Sequence, residues 1–158
     1  MAVVLLTGMS GVGKSTVLAE LARRGHRTVD TDLGDWVEEV PTPGQAHPEP
    51  MWRADRVTAL LDGHTAGHLF LAGTVANQGA FADRFAAVVL LTVPVEIALA
   101  RLATRTTNGF GKRADERARV IADFAAVEPL LRRGATLVID TRRPLPEVVT
   151  AVLQVAER

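Results

Sequence analysis

The chain has 158 residues, with 18 basic and 18 acidic side chains for a formal net charge of zero, and no cysteine. That balance leaves no electrostatic footprint for nucleic acid or an acidic membrane surface, and the absence of thiols excludes disulfides and thiolate metal sites. The length suits a single domain over 1–158 with a real core, and no stretch approaches the roughly twenty apolar residues needed to span a bilayer.

In chain order, Ala2-Val3-Val4-Leu5-Leu6 reads as an apolar strand, too short for a signal peptide, so a cytoplasmic protein, monomer or homodimer, is expected. Next comes Gly8-Met9-Ser10-Gly11-Val12-Gly13-Lys14-Ser15, a complete G-x-x-x-x-G-K-S phosphate loop, followed by a helix-type stretch from Thr16 to Arg24. The strand–loop–helix context is the one this motif requires. Gly8, Gly11 and Gly13, with Ser10 and Val12 between them, let backbone N–H groups curl around an oligophosphate. The positive end of the following helix adds to that field. Lys14 is placed to reach the β- and γ-phosphates and the Ser15 hydroxyl to ligate Mg²⁺. The motif predicts binding of a nucleoside triphosphate, taken as ATP.

Beyond the loop, strand and helix signals alternate. Further strands are expected at Arg27–Asp30, His68–Ala72, Val88–Val93 and Thr136–Asp140. Helices are expected over Met51–Leu61, Asn77–Phe85, Val95–Ala103, Asp115–Val127 and Leu145–Ala156. Continuous apolar strands separated by helices predict a five-stranded parallel sheet covered on both faces. The stretch Val40–Pro50, rich in proline, is expected to be a loop without regular structure, either a connector or part of a substrate lid.

Three features bear on chemistry. The second strand ends in Asp30-Thr31-Asp32, expected at the carboxyl edge of the sheet beside the first strand, where ligands collect in open α/β folds. Two carboxylates there can serve a metal and a reacting hydroxyl, or act as turn and capping groups. An arginine-rich stretch follows the fourth strand: Arg101, Arg105, Arg113, Arg117 and Arg119, interrupted by Thr106–Lys112. A glycine-hinged loop carrying cations suits a short lid, about 104–113, over a transferring phosphoryl group. Arg105, at the helix–loop junction, is its leading candidate. Last, Ile139-Asp140-Thr141-Arg142-Arg143-Pro144 offers flat surfaces for a nucleotide base.

These motifs, in this order and over nearly the whole chain, resemble the small-molecule and nucleoside-monophosphate kinases of the phosphate-loop superfamily, shikimate and gluconate kinase types above all. Gly8–Thr16 matches the nucleotide loop, and Asp30-Thr31-Asp32 the D-[ST]-D element of shikimate kinases. Arg101-Leu102-Ala103-Thr104-Arg105 is similar to the R-L-x-x-R approach to the lid, and Ile139-Asp140-Thr141 with Pro144 to the adenine-side loop. Arg113-Ala114-Asp115-Glu116 resembles the R-x-D-D of monophosphate kinases, with glutamate in the last place.

The resemblance implies a three-layer α/β phosphate-loop kinase fold and an ATP- and Mg²⁺-dependent kinase acting on a small-molecule acceptor. It implies that Asp30 helps hold Mg²⁺ through water and that Asp32 binds or deprotonates the acceptor hydroxyl. Arg105 would neutralise the transferring phosphate, Arg101 and Pro144 would flank adenine, and Thr16 would touch the α-phosphate. The acceptor-binding region falls at about 32–62. There Arg53 is a candidate fork for a carboxylate or phosphate, or else an exposed helix arginine. Trp52 is either a core plug or a stacking platform. The loop after the third strand, Gly73–Gly79, offers Thr74, Asn77 and Gln78 to the acceptor, with Asn77 and Gln78 alternatively starting a helix.

Two alternatives stay open. In a nucleoside monophosphate kinase, Arg53, Arg113 and Arg117 would grip the acceptor phosphate. In a nucleotide-dependent switch or regulatory ATPase, phosphate would go to water alone. Such proteins usually carry a strand ending in a Walker-B aspartate, and the third strand ends instead in Ala72-Gly73-Thr74.

Overall fold

The computed structural model describes residues 1–105 and 112–158; the middle of the expected lid, 106–111, lies outside the described residues. Strand β1 (Val3–Thr7) leads through the phosphate loop into helix α1 (Lys14–Arg23) and strand β2 (Arg27–Asp30). Strands β3 (Val37–Val40) and β4 (Glu49–Trp52), helix α2 (Ala54–Gly63) and strand β5 (Leu69–Ala72) follow. A 3-10 turn at Gln78–Arg84 precedes β6 (Ala87–Thr92), α3 (Val95–Thr104), α4 (Ala114–Gly134), β7 (Leu137–Asp140) and α5 (Leu145–Ala156).

The main sheet is five-stranded in the order β2-β5-β1-β6-β7, and each adjacent pair is parallel. The expected fold class therefore holds. One expectation about it does not: β2 is the edge strand and pairs with β5 (Asp30 opposite Ala72), so the Asp30-Thr31-Asp32 segment does not stand beside β1. Parallel strands joined by crossovers need not be neighbours in sequence order.

Period-two alternation sorts each strand between two apolar layers. Val4 and Leu6 of β1 pack with Phe70, Val89 and Leu91 under α1 and α5, through Val17, Leu18, Leu21, Val148, Val149 and Val152. Leu5, with Leu69 and Leu71, packs on the other face against Val57 and Leu61 of α2 and against Trp52, Phe81 and Phe85. Among the described residues, no helix is long and apolar enough to cross a membrane.

The prolines mislead in the segment expected to be a loop over Val40–Pro50. Strands β3 and β4 form an antiparallel hairpin with Val37 opposite Trp52, Glu39 opposite Pro50 and Val40 opposite Glu49. In a two-stranded ribbon both strands are edges, where a missing N–H is tolerated. Between them Thr42-Pro43-Gly44-Gln45 makes a type II turn, closed by Gln45 N–H to the Thr42 carbonyl at 3.1 Å, with Gly44 at φ 83°. Met51 and Trp52, expected to open a helix, belong to this ribbon, and α2 begins at Ala54. The expected helix Asn77–Phe85 is the 3-10 turn. Helix α4 runs past Val127 to Gly134 and through Pro129, its half-buried Phe124, Val127 and Leu131 seated on the core, which offsets the loss of one helical hydrogen bond.

Candidate active site

The phosphate loop lies where β1 ends, at the centre of the sheet. Gly11 takes a left-handed φ of 85°, and a Cβ there would stand 2.7 Å from the Ala98 carbonyl oxygen of α3, so no side chain fits. Helix α1 starts at Lys14 with no side-chain cap, which leaves its first N–H groups and its positive end for a ligand.

A buttress of hydroxyl and amide groups holds the start of the loop. Gln78 Nε2 donates to Thr7 Oγ1 at 3.2 Å. The Thr7 hydroxyl lies 3.1 Å from that of Thr74, which donates to the Gly8 carbonyl and accepts from Gly8 N–H at 3.2 Å. Thr74 and Gln78, both offered to the acceptor by the sequence reading, are engaged in bracing the nucleotide loop. No local pattern announces this, because the partners lie far apart in sequence.

Lys14 donates from Nζ to the Gly8 carbonyl and to that of Met9, the latter at 3.2 Å. Burial of the ammonium lowers its pKa to about 8, against the opposing pull of Asp32 and Asp30. The half-buried amine therefore stays mostly protonated at neutral pH and feels both carboxylates at the end of β2.

At that end the Asp30 carboxylate accepts the Asp32 N–H at 3.0 Å, and burial raises its pKa above the ordinary carboxylate value. Between them Thr31 is buried. Its N–H and hydroxyl both donate to the Ala72 carbonyl, at 2.9 and 2.7 Å, and its oxygen accepts from the Trp52 indole at 3.0 Å. A Cβ on Gly73 would collide with the Thr31 hydroxyl. Trp52 itself is 1% exposed, a core plug rather than a stacking platform.

On the opposite wall Arg101 of α3 forks onto the end of β7. One guanidinium nitrogen donates to Thr141 Oγ1 at 2.9 Å and to the Val12 carbonyl at 3.2 Å, and the other donates to the Thr141 carbonyl at 3.1 Å. Arg105 follows α3 as its C-cap; partial burial lowers its pKa while the charge of Asp32 opposes the shift.

A single cleft of about 920 Å³ joins these groups, within the usual range for a small-molecule site. Its lining includes Ser10, Gly11, Val12, Gly13, Lys14, Ser15 and Thr16 of the loop, Asp30 and Asp32 after β2, and Arg101 and Arg105. Glu39 of the hairpin, Thr141 and Arg143 also line it. Glu39 escapes sequence reading altogether; its signal would have been the alternation of Val37-Glu38-Glu39-Val40 along a strand.

Other candidates stand outside this lining. Arg53 donates to Asp35 and Glu38 at 3.1 and 3.2 Å. The Asn77 amide spans the main chain of Trp52, accepting its N–H at 2.8 Å and donating to its carbonyl at 3.1 Å. Arg113 is the exposed N-cap of α4, paired with Asp115 at 3.3 Å. Pro144 is the N-cap of α5.

Comparison with known proteins agrees with this architecture. A sequence model described as an AAA domain matches residues 4–122. No curated protein sequence matches the chain. Among solved structures, a shikimate kinase from Acinetobacter baumannii in complex with shikimate is similar over 98% of this chain and 92% of its own, at 22% identity and a TM-score of 0.64. A shikimate kinase from Bacteroides thetaiotaomicron is similar over 99% of both chains, at 17% identity and 0.69. A sugar kinase from Janibacter sp. is similar over 98% of this chain and 93% of its own, at 18% and 0.57. At such identities the likeness concerns the fold. With β1, the phosphate loop and most of the sheet inside the matched region, the chain belongs to the AAA domain family of phosphate-loop NTPases and carries the α/β fold of phosphate-loop kinases.

Proposed function

We propose that the protein is an ATP- and Mg²⁺-dependent kinase that moves the γ-phosphate to a hydroxyl of a small-molecule acceptor. One observation carries this reading: the phosphate loop with Lys14, the paired carboxylates Asp30 and Asp32, and Arg105 line the same cleft. Transfer to an acceptor hydroxyl calls for a carboxylate within reach of the phosphates, and Asp32 lines the cleft that the phosphate loop lines. The shikimate and sugar kinases of similar fold support the same choice.

The loop N–H groups and Lys14 would hold the phosphates, and Thr16, the second residue of α1 after Lys14 and exposed at the cleft, would reach the α-phosphate. Ser15 and the half-buried Asp30 offer hard oxygen donors, which fits Mg²⁺. Among the described residues there is no cluster of three or more His, Cys, Asp or Glu that could hold a metal, in keeping with an ion completed by phosphate oxygens and water. Held there by Ser15 and Asp30, Mg²⁺ would supply positive charge to offset that of the phosphates. Asp32 would accept the proton of the acceptor hydroxyl as its oxygen bonds to the γ-phosphorus and the β–γ bridging oxygen leaves with ADP. Lys14 and Arg105 would stabilise the charge that spreads over the transferring group.

ADP release measured against a panel of hydroxyl compounds and nucleotides tests the reading. Stimulation by a hydroxyl acceptor, with a phosphorylated product, is expected. ADP release that no acceptor raises would assign the chain to the switches.

A further inference from the structure

The cleft has a charge polarity set by the strand order. Strand β2 is one edge of the sheet and β7 the other, with β1 and its phosphate loop between them. Besides Lys14 and Arg105, which face Asp32, the charged groups lining the cleft are Arg101 and Arg143 toward β7 and Asp30, Asp32 and Glu39 toward β2. Glu39 is placed by strand alternation: it shares a face of β3 with Val37, which packs against the core, whereas Glu38 points the other way to Arg53. The arginines of the same region are drawn off by partners outside the cleft. Arg53 pairs with Asp35 and Glu38, and Arg56 pairs with Asp35 at 2.8 Å while lying 5.5 Å from the centre of the Trp36 ring. Lys14 is committed to the loop, and Arg105 shares the field of Asp32.

We infer that the acceptor is an uncharged polyol, such as a sugar, sugar alcohol or cyclitol, held by its hydroxyls on Asp32 and Glu39 and carrying neither carboxylate nor phosphate. A carboxylate is an acceptor-only group with room for two or more O–H donors, and such charge-assisted bonds are the strong ones. An anionic acceptor would instead meet like charge at Asp32 and Glu39, which weakens its binding relative to a neutral polyol. The inference rests on the kinase reading above and narrows it.

The test uses matched pairs on the intact protein with MgATP: glucitol against gluconate, myo-inositol against quinate, and cytidine against CMP. A neutral member is expected to raise ADP release and its anionic partner to leave it near background. Glu39→Gln, on the exposed hairpin, is expected to raise the KM for the polyol about tenfold with kcat little changed, the loss of one charged hydrogen bond. Glu39→Arg is expected to shift the preference toward the anionic member. An anion turned over as well as or better than its neutral partner, or a polyol KM indifferent to both substitutions, overturns the inference and leaves the kinase reading standing. ADP release that no compound raises overturns both.

Discussion

The indole N–H of Trp52 donates to the Thr31 hydroxyl over 3.0 Å, so the side chain that anchors the hairpin also fixes the residue between Asp30 and Asp32. The same ring packs edge-on against Phe81 and Phe85, at centroid distances of 5.7 and 6.2 Å. Core packing and the geometry of the carboxylate pair are thus joined at one residue. Trp52→Phe keeps most of the apolar volume but removes the donor. It is expected to cost about 1–2 kcal/mol in urea unfolding and to lower kcat by loosening Asp32. Unchanged stability together with unchanged kcat would show the bond to be idle.

The two aspartates are expected to separate by role. Asp32→Asn keeps the shape and removes the base, and should lower kcat by roughly two to four orders of magnitude with ATP affinity little changed. Asp30→Asn removes a half-buried charge that interacts with Lys14, and should raise the Mg²⁺ concentration needed for half-maximal rate. Magnesium titrations of both variants check this; wild-type behaviour in each would reduce the pair to turn and capping groups.

The parts legible in the sequence are those whose chemistry is local. The phosphate loop is fixed by spacing, and β1, β5, β6 and β7 by runs of apolar residues between turn signals. The hairpin stayed hidden because Pro41, Pro43, Pro48 and Pro50 mask an eight-residue ribbon whose register depends on the burial of Trp52. Neighbours across the sheet were equally out of reach: β2 pairs with β5 some forty positions further on. The roles of Thr74 and Asn77 depend on partners distant in sequence, on Gly8 and on Trp52. A polar residue in a turn looks the same whether it meets a ligand or another strand.

Lys14 sets the expected pH dependence. Its amine titrates near pH 8 in the free protein because burial disfavours the charged form. A bound triphosphate favours that form and raises the bound-state value. Affinity for MgATP should therefore be level below pH 8 and fall as pH rises through it, by up to tenfold per unit. Calorimetric titration from pH 6.5 to 9.5 checks this, and Lys14→Ala should bind weakly with no break near pH 8. The variant should keep its unfolding midpoint, since among the described residues the amine bonds to carbonyls of its own loop, and should lose phosphoryl transfer by at least about two orders of magnitude.

Arg101 allows two readings to be told apart. The sequence reading sets it beside adenine, whereas the structure has its guanidinium bridging the Val12 carbonyl to Thr141. That bridge ties the phosphate loop to the end of β7, and a planar fork can do this where a single ammonium cannot. Arg101→Lys is accordingly expected to weaken MgATP binding about tenfold while leaving the KM of the acceptor unchanged. Inorganic tripolyphosphate, which has no base, discriminates between the roles. If Arg101 acts by holding the loop in shape, the variant loses affinity for tripolyphosphate and ATP in equal measure. If it acts by stacking on the base, tripolyphosphate binding survives and only ATP binding falls. Equal loss is the expected result, because the bonds of Arg101 tie the loop at Val12 to Thr141.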